Sequence, residues 1–137
     1  MKSKILFIFC LILASKVFAQ QDLTFNHLGQ NEGLHAEFIS YMMKDSRGFI
    51  WLCSNFGLIR YDGKEFHNFR NSFADTTTIS NDNVSHIIED RTGYLWVSTN
   101  QGLNRFDPNT QVFTRFEHNP YQENSIASNE VICTMID

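Results

Sequence analysis

Asp45, Asp62, Asp90 and Asp107 are the most regularly placed ionisable side chains in this 137-residue chain. Carboxylates set beside glycines in this way can ligate a hard cation such as calcium through oxygen. All four, however, stand in turn sequences: Asp45-x-x-Gly48, Asp62-Gly63, Asp90-x-x-Gly93 and Asp107-Pro108. A short acidic side chain in such a place caps the backbone of its own turn, so turn capping is the expected role and no metal is expected. His27, His35, His67, His86 and His118 lack the close His or Cys spacing of a zinc site. Gly48, Gly57, Gly93 and Gly102 recur at hairpins, not between a strand and a helix, so they form no phosphate loop. No catalytic constellation emerges; the chain is expected to bind, not to catalyse, and to need no cofactor.

The elements that position these residues come from an internal repeat. Asp45 to Asp62 recurs as Asp90 to Asp107 at a constant offset of 45 residues, with Asp, Gly, Trp, Asn, Gly, Leu, Arg and Asp at matching places. A repeat of this length fixes the architecture. Phe49 to Ser54 and Tyr94 to Thr99 are aromatic and β-branched runs bounded by turn residues, and Leu58 to Tyr61 and Leu103 to Phe106 follow as second strands. Trp51 and Trp96 are expected to pack between layers. Phe66-His67-Asn68-Phe69 and Phe113-Thr114-Arg115-Phe116 supply a fourth strand, and Phe25-Asn26-His27-Leu28 resembles them. Phe38 to Asp45, Asn83 to Asp90 and Glu130 to Asp137 supply the first strand of a unit. The connectors Arg70 to Asp82 and Glu117 to Asn129, rich in Asn, Ser, Thr and Asp, read as exposed loops.

Residues 1–19 have the layout of a secretory signal peptide: Lys2 and Lys4, an apolar run from Ile5 to Ala14, and Val17-Phe18-Ala19 before Gln20. The run is shorter than the roughly 20 residues that span a bilayer, and no other stretch is apolar enough, so the mature chain is expected to have no transmembrane helix. Three of the 11 basic residues and none of the 15 acids lie in this leader, which leaves a net charge near −7. That balance argues against nucleic acid and anionic membrane as partners. Cys53 aligns with Ser98 and Cys133 with His86, on different strands of non-neighbouring units, so no bridge is expected between them.

The unit is thus four short antiparallel strands in about 45–47 residues, the size of a β-propeller blade. The expected fold is all-β, with residues 20–34 as the last strand of a closing blade, 35–80 as blade 1, 81–127 as blade 2 and 128–137 as the first strand of a truncated blade 3. A β-sandwich of two meanders explains the strand count but not the repetition. Because a propeller closes with about 4–8 blades, the chain reads as an incomplete propeller fragment, whose partners include the remaining blades of a longer parent.

The pattern Asp-x-x-Gly-aromatic-aliphatic-Trp, then Ser/Thr-Asn-x-Gly-Leu-x-Arg-aromatic-Asp, resembles the two-component regulator propeller repeat. Ser54 stands where the repeat usually has Thr, as Thr99 does. The resemblance implies the periplasmic sensor region of a bacterial hybrid sensor histidine kinase, exported to the outer face of the inner membrane, with an oligosaccharide as ligand. A secreted propeller that binds glycan or protein without a kinase is the alternative. Binding residues sit on loops held by a rigid scaffold, and the positions that differ between copies are free to specialise. Those positions are Phe56 against Gln101 and the two connectors, the second of which holds Tyr121. With the turn residues Asn55 and Asn100 beside the first pair, Asn55, Phe56, Asn100, Gln101 and Tyr121 are the expected ligand-facing residues.

Overall fold

The computed structural model describes residue 25 and residues 27–136; the expected signal peptide lies outside them. Eight strands form among the described residues: β1 (Ile39–Lys44), β2 (Ile50–Ser54), β3 (Gly57–Tyr61), β4 (Phe66–Phe69), β5 (Val84–Glu89), β6 (Leu95–Thr99), β7 (Gly102–Asp107) and β8 (Val112–Phe116). They make two antiparallel sheets in chain order, β1-β2-β3-β4 and β5-β6-β7-β8. The registers correspond residue for residue, with Trp51 opposite Arg60 and Trp96 opposite Arg105. The second sheet packs on the first through β5 against β1 and β2. These are two adjacent propeller blades, and the chain is all-β as its pattern required.

The joint between the blades is the core. Trp51, Leu58, Ile87, Leu95, Val97 and Phe106 are buried there, each worth about 1.5–3 kcal/mol where a large apolar side chain leaves water completely. Trp51 stacks on Phe69 at 5.7 Å and meets the edge of Phe106 at 5.5 Å. Trp96 and Phe116 repeat the first pairing at 5.6 Å, on a face where Trp96 stays half-buried.

One feature of the first strands is absent from the expected pattern. The registers shift between Ile39 and Tyr41 and between Val84 and His86, so Ser40 and Ser85 are bulged out of their ladders. The bulge turns each hydroxyl toward the following unit. Ser40 Oγ lies 2.8 Å from the carbonyl of Val84 and 3.2 Å from that of Cys53. Ser85 Oγ lies 2.8 Å from the carbonyl of Val131 and 3.2 Å from that of Ser98. Each serine thereby staples its own β2 or β6 to the next inner segment.

One expectation is revised. The connector 70–82 is not simply an exposed loop: Ile79 and Ser80 are buried, because the segment runs along blade 2 and the carbonyl of Thr77 accepts from the N–H of Phe113 at 2.8 Å. In the described part of 20–34 there is no strand; Gln30–Glu32 is a 3-10 turn, and Phe25 is exposed. Residues 130–136 likewise form no ladder. They do hold the place against blade 2 that β5 holds against blade 1, with the N–H of Val131 on the carbonyl of Thr99 at 3.1 Å and Thr134 Oγ1 at 2.7 Å from Ser98 Oγ.

Candidate ligand-facing turns and connectors

The β2–β3 and β6–β7 turns carry four of the five expected residues, and one hydroxyl shapes each turn. Ser54 Oγ donates to the carbonyl of Gly57 at 2.7 Å and accepts from the N–H of Phe56 at 3.0 Å. Thr99 Oγ1 does the same with Gly102 and Gln101, at 2.8 and 3.1 Å. The substitution of Ser for Thr is neutral here because only the hydroxyl is used. The glycines that close these turns have φ of +111° and +101°, and a Cβ on Gly57 or Gly102 would stand 2.5 Å from the carbonyl oxygen of Phe69 or Phe116. Only glycine lets the last strand of the blade pass so close.

Held this way, Asn55, Phe56, Asn100 and Gln101 are exposed. Asn55 Oδ1 accepts from the N–H of Phe38 at 3.3 Å, and the N–H of Asn100 donates to the carbonyl of Asn83 at 3.2 Å. Phe56 is already partnered: Arg70 Nε donates to its carbonyl at 3.0 Å, and the guanidinium lies 5.6 Å from its ring centroid. Phe56 and Arg70 line a cleft of about 290 Å³ with His35 and Glu37. Tyr121 stands elsewhere, 94 % exposed on the connector that leaves blade 2, beside an open cleft of about 780 Å³. The two clefts share no residue. The structure thus pairs Asn55 with Phe56 and Asn100 with Gln101 on equivalent turns, and sets Tyr121 apart.

Sequence reasoning missed a buried polar cluster behind the β6–β7 turn. Asn104 Oδ1 accepts from the N–H of Ser80 at 2.9 Å, and its amide donates to Ser80 Oγ at 2.8 Å. Ser80 Oγ is 2.9 Å from Thr99 Oγ1. The signal was present in the alignment of the two copies, where Asn104 stands in a strand at the place of Ile59.

The turn aspartates serve the scaffold. Asp45 Oδ2 accepts the indole N–H of Trp51 at 2.8 Å, while Oδ1 accepts the N–H groups of Arg47 and Phe49. Asp90 repeats this with Trp96, Thr92 and Tyr94. Partial burial acts to raise the pKa of Asp90, and its hydrogen bonds outweigh this, so its carboxyl lies below the usual range. The backbone N–H groups of Glu65 and Lys64 hold Asp62 below that range, and chiefly the N–H of Asn109 does so for Asp107. Burial pushes the Cys53 thiol up to about 12; Cys133 is exposed, and both are free thiols. Among the described residues, no three His, Cys, Asp or Glu side chains are grouped to hold a metal ion, and no helix is long and apolar enough to cross a membrane.

Residues 78–101, from the buried end of the connector to the β6–β7 turn, match the two component regulator propeller family model. The chain is similar, at 25 % identity and a TM-score of 0.70, to a solved structure described as the extracellular domain of the hybrid two component system BT3049 from B. thetaiotaomicron. That likeness covers 77 % of this chain and 15 % of the other. A second such domain, of BT4673 from the same organism, is 30 % identical over 57 % of this chain and 11 % of its own, with a TM-score of 0.49. The chain therefore spans a small part of the length of either. No curated protein matches it.

Proposed function

Starting from a chain that carries two-component regulator propeller repeats, we propose that it is the exported, ligand-sensing segment of a two-component sensor, working in the periplasm or at the outer face of a bacterial inner membrane. The observation that supports this reading is the likeness at a TM-score of 0.70 to the extracellular domain of a hybrid two component system. In this reading residues 1–19 direct export, the blades bind without catalysing, and a histidine kinase on the same polypeptide receives the signal. The ligand is a carbohydrate. Exposed loops on a stiff sheet suit that class, because sugars need polar groups beside an aromatic face.

The gene downstream of the Asp137 codon tests the sensor reading. An in-frame membrane-spanning helix followed by a histidine kinase module is the expected result. A stop codon, or a secreted domain without a kinase, would replace the sensor with a free glycan- or protein-binding propeller.

A further inference from the structure

The cleft beside Tyr121 has features that the turns lack. Its walls are two successive connectors, with Thr76 and Thr77 on the one that enters blade 2 and Glu117 to Gln122 on the one that leaves it. Strand β8 runs between them, and the bond from the N–H of Phe113 to the carbonyl of Thr77 fixes the first wall against the sheet. The second wall is held from within. Asn119 Oδ1 accepts from the N–H of Tyr121 at 3.0 Å, and Ser125 Oγ donates to the carbonyl of Asn119 at 2.9 Å. The space of about 780 Å³ is of the size that takes a small ligand.

The chemistry on offer is selective. Tyr121 presents a nearly uncovered aromatic ring. The side chains of Thr76, Thr114, Glu117 and Gln122 line the same space and have no hydrogen-bond partner among the described residues. Arg115, the cation of the cleft, is turned away: Nε donates to the carbonyl of Thr78 at 2.8 Å, and one terminal nitrogen reaches the carbonyls of Asp75 and Ile79 at 3.0 and 3.2 Å. These two nitrogens hold the connector in place. Glu117 is the carboxylate of the cleft and has no ion-pair partner among the described residues, so it disfavours an anionic group placed beside it.

We infer that this rim cleft, and not the β2–β3 and β6–β7 turns, is a binding site for an uncharged saccharide. One sugar ring lies with its apolar face on Tyr121, and its hydroxyls bond the Thr76 and Thr114 hydroxyls, the Gln122 amide and the Glu117 carboxylate. The inference rests on the carbohydrate reading above and gives it a place and a charge preference. Aromatic stacking supplies area at little entropic cost, and the hydroxyl, amide and carboxylate groups fix orientation.

The test is a panel of neutral oligosaccharides (gluco-, xylo-, manno- and arabino-hexaoses) with an oligogalacturonide and a heparin tetrasaccharide as anionic members. Binding to the full chain is read by titration calorimetry. The expected result is that a neutral member binds, that Tyr121→Ala weakens it by about tenfold or more, equivalent to about 1.4 kcal/mol, and that Tyr121→Phe restores most of it. Phe56→Ala should leave the affinity unchanged. Tyr121 is so exposed that its replacement should not alter the thermal melt, which is measured alongside. A saccharide whose affinity is indifferent to Tyr121→Ala would overturn the cleft and leave the carbohydrate reading standing. Preference for the anionic members would overturn the charge assignment, and no binding by any member would overturn the carbohydrate reading together with the cleft.

Discussion

The indole N–H of Trp51 donates to the carboxylate of Asp45 at 2.8 Å, joining the last residue before a hairpin turn to the strand that leaves it. The same carboxylate accepts two backbone N–H groups of the turn. One aspartate thus closes the hairpin and sets the orientation of the largest core side chain. Trp96 and Asp90 repeat the arrangement at 2.9 Å.

Removing that carboxylate should therefore cost more than an ordinary turn cap. Asp45 is 6 % exposed, and Asp45→Ala leaves the indole N–H and two backbone donors without it. A buried donor left unsatisfied costs about 1–3 kcal/mol, so a loss of about 2–4 kcal/mol is expected in denaturant unfolding. Asp90→Ala should cost less, because Trp96 is half-buried and water can reach its donor. Equal losses at the two sites would show that burial does not set the difference.

Gly57→Ala and Gly102→Ala should each destabilise the blade they close. Both positions combine positive φ with a carbonyl oxygen 2.5 Å from the new Cβ, so backbone strain of about 1–3 kcal/mol adds to a steric clash. Gly63→Ala supplies the control: its φ is +98°, but nothing lies within 4 Å of the added atom. If Gly63→Ala proves as costly as Gly57→Ala, the close approach of the last strand is not the reason for the glycine.

The repeat made these features legible. Two aligned copies placed both tryptophans, all four aspartate turns and the four-strand unit, because each recurs at one spacing and each has a local physical cause. The bulges at Ser40 and Ser85 were not legible, since both copies carry them and a shared bulge leaves the period unchanged. The burial of Ile79 and Ser80 was hidden for a different reason: a polar composition suggests solvent, while the partners of Ser80 lie 19 and 24 residues away at Thr99 and Asn104. The five expected residues include four on equivalent turns, but neither a turn position nor variability between copies says anything of convergence. Tyr121 shares a cleft with the neighbouring connector and β8, not with Phe56.

Stability should fall with acid in two stages. His86 lies against the ring of Tyr41, with centroids 4.3 Å apart, and accepts weakly from the N–H of Thr134 at 3.4 Å; burial lowers its pKa. The unfolded imidazole, with a pKa of about 6.5, then binds a proton that the folded one refuses. The contribution of His86 is complete above about pH 6.5 and declines as the pH falls toward its folded pKa. Asp90 is lowered relative to an unfolded value of about 3.9, so its contribution is present above about pH 4 and lost as the pH falls through its folded pKa. His86→Gln should flatten the first stage alone, and Asp90→Asn should reduce the second, to which Asp62 and Asp107 also contribute. A His86→Gln profile that still bends near pH 6.5 would assign that stage to another group.

Asn104 and Ile59 occupy the same place in their blades, and exchanging them should expose what each does. Asn104→Ile keeps the shape of the strand but removes the acceptor for the Ser80 N–H and the donor to Ser80 Oγ. Both Ser80 groups are buried, so a loss of about 1–3 kcal/mol is expected, even though the new side chain is more apolar. Because Ser80 Oγ touches Thr99 Oγ1, and Thr99 holds the N–H of Gln101, the same change should loosen the β6–β7 turn, read as faster amide exchange at Gln101. Ile59→Asn places an amide at a fully buried position and should be at least as costly. Exchange at Phe56 should follow only the second substitution. If Asn104→Ile raised stability and left exchange at Gln101 unchanged, the buried polar cluster would have no part in fixing that turn.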